Sequence, residues 1–161
     1  MTESIKRQRG LYLDEFELDV VYEHAPGRTV TEADNTLFST MTMNPASIHL
    51  DAHASAANEF GMRLVNSMFT LSTLVGLSVG QMTQRTTVAN LGFEKVEFPL
   101  PVFVGDTLYA STRVLEKRVS KSRPGTGIVR LEHTARNQRG EVVALAVRAA
   151  MMLVQPQEHL S

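Results

Sequence analysis

The chain has 161 residues, enough for one domain with a sizeable core and too few for a multidomain enzyme. Apolar residues make up 43% and charged residues 20%, which excludes intrinsic disorder; 16 Lys and Arg against 17 Asp and Glu leave a charge of −1, with no general grip on nucleic acid or anionic lipid. Cysteine is absent, which removes disulfides, thiolate nucleophiles and Cys-ligated zinc. With no apolar run of signal-peptide length at the start and no stretch of ~20 apolar residues anywhere, a cytoplasmic protein that does not enter a membrane is expected.

Residues 1–19 mix charges with a few apolar side chains and read as an arm that docks on the domain formed by 20–161. Thr31 stands three residues before Asp34, a variant capping box that predicts a short helix to about Ser39. Met41 to Ser47 reads as a loop, because Pro45 forbids helix through Asn44. Asp51 to Phe60 is Ala-rich and predicts a helix ended by Gly61. Ser67 to Val79 is apolar on nearly every side, with Met68, Leu71, Val75 and Val79 in one stripe, Asn66 or Ser67 to cap it and Gly80 to end it.

Downstream the period changes to two. Strand candidates cover Gln84 to Ala89 and Phe93 to Phe98, separated by Asn90-Leu-Gly92, then Thr107 to Val119 and Ile128 to Arg136, with a hairpin turn at Asn137 to Gly140. Glu141 to Val154 is almost continuously apolar and reads as a long strand buried on both faces. Helices followed by an antiparallel meander make an α+β domain, and so short a chain can enclose its apolar helix only by wrapping a sheet around it.

Four strings carry a family resemblance: Thr31-Glu-Ala-Asp34, Asn44-Pro-Ala-Ser-Ile-His-Leu-Asp51, Leu64-Val-Asn-Ser-Met-Phe69 and Pro99-Leu-Pro-Val-Phe-Val-Gly-Asp-Thr-Leu108. Together they resemble the MaoC-type (R)-specific enoyl-CoA hydratases and dehydratases, and within them the mesaconyl- or itaconyl-CoA hydratases. The resemblance implies a single hot-dog domain, a curled antiparallel sheet wrapped around a long central helix. It also implies an acyl-CoA substrate with a short branched or dicarboxylic acyl group, and a homodimer or higher homo-oligomer. No metal and no cofactor are expected, coenzyme A being part of the substrate.

Hydration of an enoyl thioester needs a base for water, an acid for the α-carbon and a stabiliser for the thioester oxygen. The family resemblance puts His49 in the role of catalytic histidine, and Asn44, five positions earlier, where the family has an Asp. A two-residue gap would instead put Thr42 there. Either way a carboxylate is missing, and an amide orients water without accepting its proton. Three readings stand: His49 makes both proton transfers while Asn44 holds the water; Asp51 or Asp34 supplies the carboxylate; or hydration has been lost. Against a catalytic His49 stands simple capping of the helix near Asp51, and His53 reads as a helix-surface residue. His24, His133 and His159 have no evident partner.

Ser67 occupies the place of a family Gly, where its backbone N–H would bind the thioester oxygen or merely cap the helix. Arg63 and Arg85 are candidates for a substrate carboxylate and Met68, with Met41, Met43 and Met62, for an apolar wall or ordinary packing. Lys121 and Arg123, beside Lys117 and Arg118, read as a coenzyme A phosphate site or as a solvated turn. The rival activities are a hot-dog thioesterase, using Asp51 or Glu59 with an amide-held water, and a non-catalytic acyl-CoA-binding subunit.

Overall fold

The computed structural model describes residue 5 and residues 7–156; His159 and the first residues of the expected arm lie outside them. Five antiparallel strands form one sheet in the order β1-β3-β4-β5-β2: β1 (Val21–Thr29), β2 (Thr87–Glu97), β3 (Thr107–Val119), β4 (Thr126–Arg136) and β5 (Val142–Leu153). Short polar turns fold β3, β4 and β5 into a meander, the second closed by Asn137 N–H to the Glu141 carbonyl at 3.0 Å. Between β2 and β3 the chain crosses from one edge of the sheet to the other side through residues 98–106, where Pro99 and Pro101 cannot donate to a ladder.

Among the described residues a 3-10 turn (Leu13–Glu15) and four α-helices precede β2: α1 (Glu32–Met41), the single turns α2 (Ser47–Leu50) and α3 (Ala52–Ser55), and α4 (Ser67–Met82), which packs against β1, β3, β4 and β5. The strands beneath α4 present Ala110, Ala135, Ala144, Ala146 and Ala150, all buried, so the helix can sit close to the sheet. This is the hot-dog arrangement, α+β, with a curled sheet around one long helix. The buried stripe of α4 is Leu71, Leu74, Ser78 and Met82; Met68 of the expected stripe is half exposed. Ser78 tolerates burial because its hydroxyl donates to the Val75 carbonyl at 2.7 Å.

Several local expectations are corrected. The segment 51–60 is not one helix: Asp51 adopts an extended conformation, ending α2 and capping α3 by accepting from Ala54 N–H. The break lets the Ile48 carbonyl accept from Leu64 N–H at 2.9 Å, a tertiary bond that a continuous helix would forbid. Gly80 does not end α4, which runs on to Met82 until Thr83 and Gln84 N–H both turn to the Val79 carbonyl. The two strand candidates after it are one strand, β2, with three register shifts, the one between Asn90 and Gly92 falling where Gly92 adopts φ 137°. β1 escaped notice because Ala25-Pro26-Gly27 interrupts its alternation; as an edge strand with a bulge between His24 and Arg28 it accommodates the proline. β5 is buried on its helix-facing side, whereas Leu145, Ala149 and Met151 on the other side are only partly covered.

From the expected arm, Leu13 and Phe16 are fully buried among Met82, Val114, Leu131 and Met152. Gly10 and Leu11 N–H donate to the Gln84 and Met82 carbonyls, and a Cβ on Gly10 would lie 2.4 Å from the Thr83 backbone nitrogen.

A row of polar side chains crosses the core between this cluster and the one around Leu74 and Leu108. The Arg148 guanidinium can only donate, so its Nε–H fixes His133 Nε2 as an acceptor at 2.9 Å. For neutral rings the remaining directions follow: His133 Nδ1–H to Thr112 Oγ1 (2.7 Å), Thr112 O–H to His24 Nε2 (2.8 Å), and His24 Nδ1–H to Gln81 Oε1 (2.7 Å). Burial, helped by the Arg148 charge and His24, pushes His133 down to about 3, and burial lowers His24 as well. Histidines with depressed folded pKa values take up protons more readily when unfolded, so their contribution is complete above the unfolded value near 6.5 and is lost as pH falls towards 3. Urea unfolding should therefore show about 2 kcal/mol less stability at pH 5 than at pH 7 from His133 alone. Equal stability at the two pH values would contradict a neutral His133 in the core.

Candidate active site

The site begins at the start of α4. The helix opens with Asn66, buried, whose side-chain oxygen accepts from Met68 N–H at 3.0 Å, while its amide donates to Ser39 Oγ at 3.3 Å. Ser67 comes first in the helix, and its N–H has no partner among the described residues. Ser67 lines a cleft of about 330 Å³ with Phe60, Leu64, Phe98, Leu100 and Val143, a mainly apolar wall. Val65 N–H donates to the Val102 carbonyl at 2.8 Å, tying the helix start to the crossing segment. That segment is held by Asp106, buried, which accepts from Phe103 N–H at 2.9 Å and from Gln138 at 2.7 Å.

His49 stands half-buried in α2, and its Nδ1 lies 2.9 Å from the Leu64 carbonyl oxygen. A carbonyl can only accept, so Nδ1 carries the hydrogen and, in the neutral ring, Nε2 keeps its lone pair. Nε2 makes no hydrogen bond among the described residues. Leu64 thus connects the two features: its side chain lines the cleft and its carbonyl orients the imidazole.

Asn35 of α1, which the sequence reading missed, holds the same groups together. It is fully buried and its amide donates to the carbonyls of His49 and Leu64, both at 3.1 Å. The signal was a polar Asn beside the capping box, on the side of α1 that also carries buried Ser39. Phe38 and Phe69 pack edge to face, centroids 5.7 Å apart, holding α1 against α4.

The other expected site residues divide. Asn44 sits in the loop before α2, where its side-chain oxygen accepts from Ala46 N–H at 3.1 Å, while its Nδ2 hydrogens have no partner among the described residues. Thr42 donates to the Phe38 carbonyl at 2.8 Å. Neither carboxylate proposed as a substitute is free. Although burial works against it, Asp34 is held below the usual carboxylate range by Thr31 and by the neighbouring Arg28, completing the capping box of α1. Asp51 caps α3 at 2.9 Å.

Arg63 is paired with Glu32 at 2.7 Å, on the loop next to the cleft. Arg85 lies beyond the far end of α4, about 24 Å of helix from Ser67, and is corrected as a candidate for this cleft. Lys121 and Arg123 lie on the exposed β3–β4 hairpin, at the end of β3 away from the cleft segment, so one protomer does not bring them to the site. Lys117 donates to the Asp14 carbonyl at 3.0 Å. Met68 adjoins Ser67 and is half exposed, as is Met62, while Met41 and Met43 are more exposed still; none is core filler. His53 is on the surface of α3, and His24 and His133 belong to the core row.

One long helix in a curled antiparallel sheet defines a hot-dog domain, and the start of that helix carries a backbone N–H without a partner among the described residues, next to a histidine braced against the same loop. The MaoC like domain model matches residues 15–137, and the chain belongs to that family. It is 26% identical over 126 residues to the beta-methylmalyl-CoA dehydratase of Chloroflexus aurantiacus, covering 78% of this chain and 35% of that protein. It is 28% identical over 150 residues to the mesaconyl-CoA hydratase of Cereibacter sphaeroides, covering 92% and 43%. This chain therefore spans well under half of both relatives. The solved structure of the R-hydratase PhaJ1 from Pseudomonas aeruginosa superimposes with a TM-score of 0.76 at 25% identity, covering 91% of this chain and 88% of that one.

If Asp51 serves α3 alone, Asp51→Ser keeps a capping oxygen and should change stability by less than about 0.5 kcal/mol, while Asp51→Ala should cost about 1 kcal/mol. Urea midpoints of the two variants check this, and equal losses would show that the carboxylate does something a cap does not.

Proposed function

We propose that this chain is an enoyl-CoA hydratase or dehydratase acting on a short branched or dicarboxylic acyl-CoA. The carrying observation is Leu64, which lines the cleft with Ser67 and whose carbonyl commits His49 Nδ1–H and leaves Nε2 open, while Ser67 N–H at the start of α4 has no partner among the described residues. The names of the two CoA-lyase relatives and the extent of the R-hydratase match support it.

In the forward direction His49 Nε2 takes a proton from water, and the hydroxide bonds to the β-carbon as the double-bond electrons move toward the thioester. The charge growing on the thioester oxygen is met by Ser67 N–H and the positive end of the α4 dipole. The imidazolium then returns its proton to the α-carbon, so one water is added and nothing else is consumed. His49 makes both transfers, because Asp34 and Asp51 are engaged in helix caps. Asn44 contributes through Nδ2, donating to the water oxygen. The apolar cleft takes the acyl group, with half-exposed Met68 next to Ser67 as a further apolar contact and Arg63, if released from Glu32, facing a substrate carboxylate.

The edge strand β2 exposes Leu91, Phe93 and Val96, which an isolated sheet edge would not tolerate well, and pairing of two copies into a homodimer would cover them. Lys121 and Arg123 can serve a coenzyme A phosphate at this cleft only if a second copy brings them there. A protein without cysteine fits a reducing compartment, and the cytoplasm is the proposed location.

Crotonyl-, mesaconyl- and itaconyl-CoA, followed for loss of enoyl absorbance and for free thiol, test the proposal. Loss of absorbance without thiol is expected, and His49→Ala should lower kcat at least 10²-fold with its fold intact. Thiol release would make the protein a thioesterase. Binding without turnover, unaffected by His49→Ala, would make it an acyl-CoA-binding subunit.

A further inference from the structure

We infer that Asn35 is the positioning residue of this site: one side-chain amide that sets both the ring of His49 and the oxyanion-binding start of α4. The inference rests on the hydratase reading for its consequence in rate, but its geometry stands apart from it. Asn35 is 0% exposed, a burial that costs free energy unless every polar valence of the amide is met. All of its hydrogen bonds go to the backbone of the His49 loop and of the start of α4: Nδ2 donates to the His49 and Leu64 carbonyls at 3.1 Å each, and Oδ1 accepts from Asn66 N–H at 2.9 Å. None of it stabilises α1, the helix Asn35 belongs to.

The consequence lies in the Leu64 carbonyl. It accepts two hydrogen bonds, one from Asn35 Nδ2 and one from His49 Nδ1. Asn35 therefore fixes the direction of the oxygen that decides which imidazole nitrogen carries the hydrogen. Free histidine in water favours the other tautomer, with hydrogen on Nε2, which would offer water a donor where hydration needs a base. The third bond, from Asn66 N–H, holds the Val65–Asn66 peptide, one before the peptide that carries Ser67 N–H, while the Asn66 side chain occupies Met68 N–H. Ser67 N–H is left as the free donor at the cleft. Asn35 touches no reacting atom in this arrangement; it acts through the two groups that do.

Three readouts test this, two of them independent of activity. In the wild type, the ¹⁵N resonances of His49, assigned by their loss in His49→Gln, should report the Nδ1–H tautomer, and both Asn35 side-chain amide protons should exchange with D2O as slowly as core amides of α4. In Asn35→Ala and in the shape-conserving Asn35→Asp, the His49 signals should move to a mixture of tautomers and kcat should fall 10- to 100-fold with KM changed less than threefold. Asn35→Gln, which keeps the amide, should recover part of the tautomer signature. An Nε2–H signal in the wild type, fast exchange of the Asn35 amide, or an unchanged tautomer in a folded Asn35→Ala protein would each overturn the inference. If the Ala and Asp variants do not fold, the two wild-type readouts decide it. A wild type with the expected tautomer and exchange but no hydratase activity would sink the functional reading and leave the positioning role standing.

Discussion

The enclosure of α4 is the constraint on which the structure depends. A helix carrying Leu71, Leu74 and Met82 toward the sheet and Phe69, Val75, Leu77 and Val79 around it cannot stand in water, and a chain this short has no second layer of helices to offer. The sheet has to curl around it, and alanines on β3, β4 and β5 let it approach. Enclosure on four strands also leaves the first turn of the helix, with Ser67, facing a cleft. The chemistry of the site follows from that geometry. An N–H that the helix cannot satisfy internally becomes available to an oxygen of the substrate.

The core is not uniformly apolar. Its two hydrophobic clusters are separated by the row from Gln81 through His24, Thr112 and His133 to Arg148, and a single donor-only group, the Arg148 guanidinium, sets the direction of the whole row. Such a network is tolerable because each ring nitrogen has a partner; removing one member would strand a buried polar group and cost more than the bond itself. The same accounting governs the site, where Asn35, Asn66 and the Leu64 carbonyl satisfy one another and so hold the loop carrying His49 against α4.

What could be read in advance was whatever depends on neighbours in sequence. The capping box at Thr31 and Asp34, the start of α4 at Asn66, the hairpin at Asn137 to Gly140 and β3 from Thr107 to Val119 all appear where local chemistry put them. The readings that failed did so where a distant partner outweighed propensity. Asp51 to Phe60 has good helix composition, yet the Ile48 carbonyl is taken by Leu64, and the chain breaks at Asp51 to allow it. Arg85 looked near the site along the chain and is a helix length away in space.

By itself the sequence determined the class of fold, because an all-round apolar helix followed by alternating strands admits few solutions. Its resemblance to the family pointed to His49 and Ser67, and to Asn44 standing where the family has a carboxylate. The tertiary structure alone decided which nitrogen of His49 is open and that Asn35 braces both halves of the site. The reason is physical: a helix or a hairpin is stabilised by bonds spanning a few residues, whereas the Leu64 carbonyl is shared by His49, 15 residues away, and Asn35, 29 residues away. No local pattern encodes a contact whose partners meet only after the sheet has closed around α4.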